Sequence, residues 1–244
     1  MLKPLWIIAQ PRNIQFLLQE FRKIDFVDKI FVKYHRDMAF YDFANTYFRD
    51  HSDYTHLILC PDDLQVNIGG IIRLLRDINE EDYPVLAGVS NYCNVWQTPD
   101  LVCTYCRSQR PHQYTNVCFE PTWVDEKTNW THYPFVTLEF LNENRGIHRV
   151  AFQGFSPVIV RRDIALKIPF RPVSDTFLGC QDIAFSADCN RLGVDQYADF
   201  HVFFQHWGLF HNDILVGKAT PDKEFTPAKR PIEDVLCYKI RRGN

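Results

Sequence analysis

No apolar run in these 244 residues approaches the roughly 20 that a membrane-crossing helix requires. The N-terminal run Leu5 to Ala9 is too short for a secretory leader and is closed by Gln10-Pro11-Arg12. The chain therefore reads as soluble, intracellular and cytoplasmic. A large excess of either sign is missing as well: 27 Lys and Arg stand against 30 Asp and Glu. A formal net charge of -3 argues against broad electrostatic attraction to nucleic acid or anionic lipid, so no nucleic-acid partner is expected. Glycine is absent from the turn Ala9-Gln10-Pro11-Arg12-Asn13, which leaves no Gly-rich phosphate loop after the first strand. Cysteine, at eight residues, is too sparse for a small disulfide scaffold, and most thiols are expected to be reduced. One cluster stands apart: Cys93, Cys103, Cys106 and Cys118, with His112 between, include a Cys-x-x-Cys pair and enough thiolates for a structural Zn²⁺. The other spacings are not those of a zinc ribbon, so zinc and plain reduced thiols both stay open.

What the chain does contain is alternation of short apolar runs with helical periods. Leu5 to Ala9 reads as a buried strand, and Asn13 can cap a helix with Ile14, Leu17, Leu18 and Phe21 on one face. Lys29 to Lys33 and then Met38, Tyr41, Ala44 and Phe48 repeat the unit. Thr55 to Cys60 and the stripe Ile68, Ile71, Ile72, Leu75 and Ile78 repeat it again, and Pro84 to Val89 makes a fourth strand. Such alternation predicts an α/β fold with a mostly parallel central sheet and helices on both faces, and ligands in such sheets bind beyond the carboxyl ends of the strands.

The chain is expected to form one domain. Residues 1–90 make its first half, 91–149 an irregular insertion rich in Pro, Thr, Trp, Asn and Cys, 150–207 a second half, and 208–244 a Pro-rich and Lys/Arg-rich tail or lid. In the second half, Phe152 to Val160 predicts a strand with a bend. Asp182 falls in the first turn of a helix carrying Phe185, Cys189 and Leu192, and Tyr197 to His206 alternates as a strand with Phe200, Val202, Phe204 and His206 on one face.

Asp62 and Asp63 stand where the run Leu57-Ile58-Leu59-Cys60 stops. Two carboxylates about 4 Å apart repel by roughly 4 kcal/mol at an effective dielectric near 20, so a crowded pair needs solvent, a proton or a cation. Mg²⁺ and Mn²⁺ favour such oxygen ligands together with a substrate's phosphates. A solvated turn with a helix cap is the plainer alternative.

An ordered set of segments resembles the nucleotide-sugar-dependent glycosyltransferases of the A-type fold, in particular the inverting enzymes similar to family 2. It comprises the N-terminal strand-helix units, Leu59-Cys60-Pro61-Asp62-Asp63, Gly154 to Arg162, Gly179-Cys180-Gln181-Asp182-Ile183-Ala184-Phe185, and His206-Trp207. The resemblance covers most of the chain and departs from the pattern in three places. The metal motif is Cys60-Pro61-Asp62-Asp63 instead of Asp-x-Asp. The second strand ends in Lys33-Tyr34-His35 where relatives usually carry an acidic pair that holds the nucleoside. The Glu-Asp segment is Gln181-Asp182.

The resemblance implies a hexosyltransferase that moves a sugar from a nucleotide diphosphate, such as a UDP- or GDP-sugar, to an acceptor hydroxyl on a glycan, protein or lipid-linked molecule. It implies Asp63, Asp62 and His206 as ligands of Mn²⁺ or Mg²⁺, and Asp182 as the base that takes the acceptor proton. Gln10, Arg12, Lys33, Asp62 and Lys218 are the implied donor contacts. A helix N-terminus favours the charged form of a carboxylate, which suits Asp182 to that role, although the same residue could only offset the helix dipole. Arg161 and Arg162 could pair with phosphate or with carboxylates, and one of them is expected to make a structural ion pair. Trp96, Trp123, Trp130 and Trp207 offer faces for sugar rings. Two other classes stay open: a non-catalytic sugar- or partner-binding module on the same fold, favoured by the altered motifs, and a nucleotidyltransferase.

Overall fold

The computed structural model describes residues 2–9, 15–32, 37–61, 64–90, 114–121, 123–125, 130–132, 135–172 and 181–206. The first part of the chain forms β1 (Pro4–Ala9), α1 (Gln15–Lys23), β2 (Asp28–Val32), α2 (Asp37–Asp50), β3 (His56–Pro61), β4 (Leu64–Gln65), α3 (Ile68–Glu81) and β5 (Val85–Ser90). Then come β6 (Tyr114–Cys118), β7 (Trp123–Asp125), β8 (Trp130–His132), β9 (Phe135–Thr137) and α4 (Leu138–Glu143). The last part is β10 (Ile147–Val150), β11 (Phe152–Gln153), β12 (Val158–Arg161), α5 (Arg162–Lys167), α6 (Gln181–Arg191) and β13 (Gln196–His206).

The main sheet has the order β10-β13-β5-β12-β3-β1-β2. Strands β1, β2, β3, β5 and β13 point the same way, and β12 and β10 run against them. The expected α/β architecture is thus present, with a mostly parallel sheet. Unbroken apolar runs such as Leu57-Ile58-Leu59-Cys60 form these strands because both faces are covered. Alternation sends Leu57 and Leu59 into the layer formed with α2, α5 and α6, where Phe48, Ile164 and Phe185 pack. Ile58 and Cys60 point into the opposite layer with Phe21 of α1 and Leu74 and Ile78 of α3. Burying one such side chain contributes about 1.5–3 kcal/mol.

Helix α3 turns a different stripe inward than its spacing predicts. Ile71, Leu74 and Ile78 are buried and Leu75 is half-buried, whereas Ile68 and Ile72 are exposed. The helix packs over β13, and that orientation lets Arg73 bond to Asp199, a carboxylate with no exposed surface. The segment Phe152 to Val160 splits at its bend: β11 joins β6 and β9 in a small second sheet, and β12 enters the main one. Strands β7 and β8 form a separate hairpin, while β10 edges the main sheet. Among the described residues no helix is long and apolar enough to cross a membrane.

Candidate functional site

The carboxyl ends of the parallel strands form a level row. Val32 of β2 pairs with Ala9 of β1, and Ala9 pairs with Pro61 of β3. Across β12, Val158 is matched to Leu59 on one side and Ala87 on the other, so Pro61 and Val89 are level as well. Val89 and Ser90 then pair with Phe203 and Phe204 of β13. Gln10, Lys33 and Asp62 each follow the last residue of one of these strands. Those three, with Arg12, Asp63 and Lys218, lie outside the described residues.

The end of β13 is described in its backbone, and it makes a junction. After pairing with β5 it pairs antiparallel with β4, Gln205 against Gln65 and His206 against Leu64. Leu64 is the residue after Asp63, so the imidazole-bearing position and the acidic step meet along the chain. Cys60, by contrast, is buried in the core layer and directs its thiol at the Pro61 carbonyl, 3.2 Å away. The residue two before Asp62 is thus part of the core layer.

Asp182 belongs to the same edge. Helix α6 is joined by the short turn Leu192 to Asp195 to β13, which begins at the amino end of β5. The helix therefore returns antiparallel to β13, and its eleven residues at about 1.5 Å each bring its N-terminus back to the carboxyl end of the sheet. Asp182 is half-buried there, and its Oδ1 accepts the Ile183 amide at 2.9 Å. Its charge reaches Cys118 of β6, where burial first and the Asp182 carboxylate second hold the thiol proton on, far above the usual range.

Asn116, which carries no signal in the sequence, ties these parts together. Its Oδ1 accepts the Ser90 amide at the end of β5, and its Nδ2 donates to the Gly154 carbonyl, both at 2.8 Å. A buried asparagine with both ends of its amide satisfied is a rigid cross-link. It fastens the rim of the main sheet to the small sheet that carries Cys118 beside Asp182.

Arg161 and Arg162 lie at the other end of the molecule. Arg161 is paired with His56 at the amino end of β3 and forks onto Asp163, with a further contact to Asp82. Arg162 donates to the carbonyls of Phe48, His51, Tyr54 and Arg49 and lies over the Phe48 ring. Both are structural, and neither faces the rim, because β12 runs against its neighbours and ends at the opposite edge.

Of the proposed zinc ligands, Cys93, Cys103 and Cys106 lie outside the described residues. Cys118 is a buried free cysteine. Among the described residues no group of three or more His, Cys, Asp or Glu side chains is spaced to hold a metal ion. Trp123 and Trp130 belong to the β7–β8 hairpin, and Trp96 and Trp207 lie outside the described residues.

Neither a protein-family model nor a curated protein sequence matches the chain. Among solved structures it is similar to A197 from STIV, at 14% identity over 81% of each chain and a TM-score of 0.50. GalNAc-T7, solved with UDP, GalNAc and Mn²⁺, aligns at 8% identity over 85% of this chain and 44% of that one, with a TM-score of 0.48. A CMP:2-keto-3-deoxy-manno-octonic acid synthetase solved with CTP aligns at 12% identity over 83% and 89%, with a TM-score of 0.40. The likeness to A197 is one of fold alone.

Proposed function

We propose that this protein is a glycosyltransferase of the hexosyl type with an A-type fold, moving a sugar from a nucleotide diphosphate to an acceptor hydroxyl with inversion at the anomeric carbon. The observation that carries the reading is the shared rim: the strand ends that lead into Gln10, Lys33 and Asp62, the junction of His206 with Leu64, and the N-terminus of α6 all lie at one edge.

Asp62, Asp63 and His206 would hold a divalent cation. Two carboxylates and an imidazole make a donor set suited to Mn²⁺ more than to Mg²⁺, and the pairing of His206 with Leu64 supports their convergence. Bound there, the cation supplies Lewis-acid stabilisation of the charge that develops on a departing diphosphate. Gln10 and Lys33 flank the nucleotide in this reading, and Arg12 and Lys218 reach its diphosphate.

Asp182 accepts the acceptor's hydroxyl proton as the oxygen attacks the anomeric carbon. The new carbon-oxygen bond forms as the bond to the diphosphate breaks, and the leaving nucleotide carries away that electron pair. Asp182 stands in the first turn of α6, a place where helix amides favour a carboxylate. A second reading, a binding module without catalysis, is favoured by one observation, the altered metal motif Cys60-Pro61-Asp62-Asp63, whose Cys60 is buried in the core.

Thermal melts with UDP- and GDP-sugars, with and without Mn²⁺, test the proposal. A donor at about a hundred times its dissociation constant adds about 2.7 kcal/mol to stability, which for a chain of this size raises the midpoint by roughly 5–10 °C. The rise is expected only with Mn²⁺ present, and incubation with acceptor should release a nucleoside diphosphate. No rise with any nucleotide sugar would favour the binding module. Release of pyrophosphate would indicate nucleotidyl transfer instead.

A further inference from the structure

We propose that Asn67 is a positioning residue of the cation site: its side chain fastens the end of β13, with His206, to the segment that follows Asp62 and Asp63. The inference rests on the donor-site reading above. Its geometric basis is independent of any ligand.

The contact between these two segments is a ladder of only two rungs, Gln205 with Gln65 and His206 with Leu64. So short an antiparallel pair frays unless something beside it holds the strands together. Asn67, two residues beyond β4, supplies that hold. Its Oδ1 accepts the Gly70 amide at 2.6 Å and caps α3, while its Nδ2 donates to the Phe203 carbonyl at 3.3 Å. The two bonds define the orientation of the amide, because the oxygen must face an N–H and the nitrogen must face a carbonyl. One side chain thus sets both the start of α3 and the approach of β13.

The packing below admits little slack. Phe204 is fully buried, and a Cβ on Gly88 would fall 2.3 Å from its ring, while one on Gly70 would fall 3.1 Å from the ring and 2.9 Å from Asn67 Oδ1. These glycines let the first turn of α3 and the end of β5 close onto β13. The closure matters because β13 departs from its partner upstream: pairing with β5 lapses after Ala198 and resumes only at Phe203. From Phe203 onward the strand must be re-aimed, and the Asn67 bond to that very residue does the aiming.

Asn67→Ser and Asn67→Asp separate this role from capping. Both keep an oxygen for the Gly70 amide; the aspartate has no donor, and the single serine hydroxyl stops one atom short of the amide nitrogen, so neither keeps the bond to the Phe203 carbonyl. Each variant should melt within about 4 °C of the wild type without metal, the effect of one exposed hydrogen bond. Each should bind Mn²⁺ about tenfold more weakly, the size of effect expected when a ligand's support is lost. Free Mn²⁺ measured by electron paramagnetic resonance reads the affinity, and hydrogen exchange at the Gln205 and His206 amides should quicken in parallel. Wild-type Mn²⁺ affinity in both variants would overturn the inference, as would their failure to fold. A wild-type protein that binds no Mn²⁺ would overturn the donor-site reading, and the inference with it.

Discussion

Asp182→Asn should abolish sugar transfer, lowering turnover by roughly 10²- to 10⁴-fold, the range attributable to a general base, while leaving donor binding intact. The substitution is nearly isosteric. An asparagine Oδ1 can still accept the Ile183 amide that the aspartate holds at 2.9 Å, so the start of α6 should be preserved. What is lost is the capacity to take a proton. Turnover should therefore fall while the Mn²⁺-dependent rise in melting temperature with donor stays at the wild-type value. That combination separates loss of a base from loss of a site. Normal turnover in the variant would remove Asp182 from the mechanism, and loss of the donor-induced rise would make it a binding residue.

Acidification should destabilise the protein well before its carboxylates titrate, through His56. This side chain begins β3, is 7% exposed, shares Nδ1 with the Thr55 hydroxyl at 3.0 Å and has no partner for Nε2. Burial chiefly pushes its pKa down from 6.5 to about 4, with the charge of Arg161 acting in the same direction and Asp82 opposing it. Above pH 6.5 the folded and unfolded forms are both neutral and the group adds no pH dependence. Below it the unfolded chain takes up a proton that the folded one refuses, so stability is lost as pH falls towards 4. The full shift corresponds to at most about 3 kcal/mol. Denaturant midpoints across this window should fall with a slope that His56→Gln flattens. An unchanged slope in the variant would assign the acid sensitivity to other groups.

The strand ends were legible because a buried parallel strand must be an unbroken apolar run, and such runs stop visibly at Ala9, Cys60 and Val89. The rim could therefore be read before any pairing was known. The two arginines show why the remainder could not. A residue after a strand lies at the carboxyl edge only if that strand runs with its neighbours, and the apolar run Val158-Ile159-Val160 carries no mark of its direction. Because β12 runs against β3 and β5, Arg161 and Arg162 sit at the far edge and serve the fold.

Asn116 and Asn67 were hidden for a related reason. Each acts through backbone groups distant along the chain, 26 residues away at Ser90 and 136 at Phe203, and a lone asparagine does not announce such partners. Asn67 had the better signal, since a polar cap directly before a helical period is a recognised start. The exposure of Ile68 and Ile72 was likewise beyond reach of periodicity, because a charged pair, Arg73 with buried Asp199, shares in setting how α3 is turned.

The most direct measurement is a crystal structure with a nucleoside diphosphate and Mn²⁺, located by its anomalous scattering. A manganese peak held by Asp62, Asp63 and His206 is expected, with the Asp182 carboxylate facing the same hollow from the start of α6. Manganese bound elsewhere, or an Asp182 side chain separated from the nucleotide by the body of the sheet, would contradict the proposal.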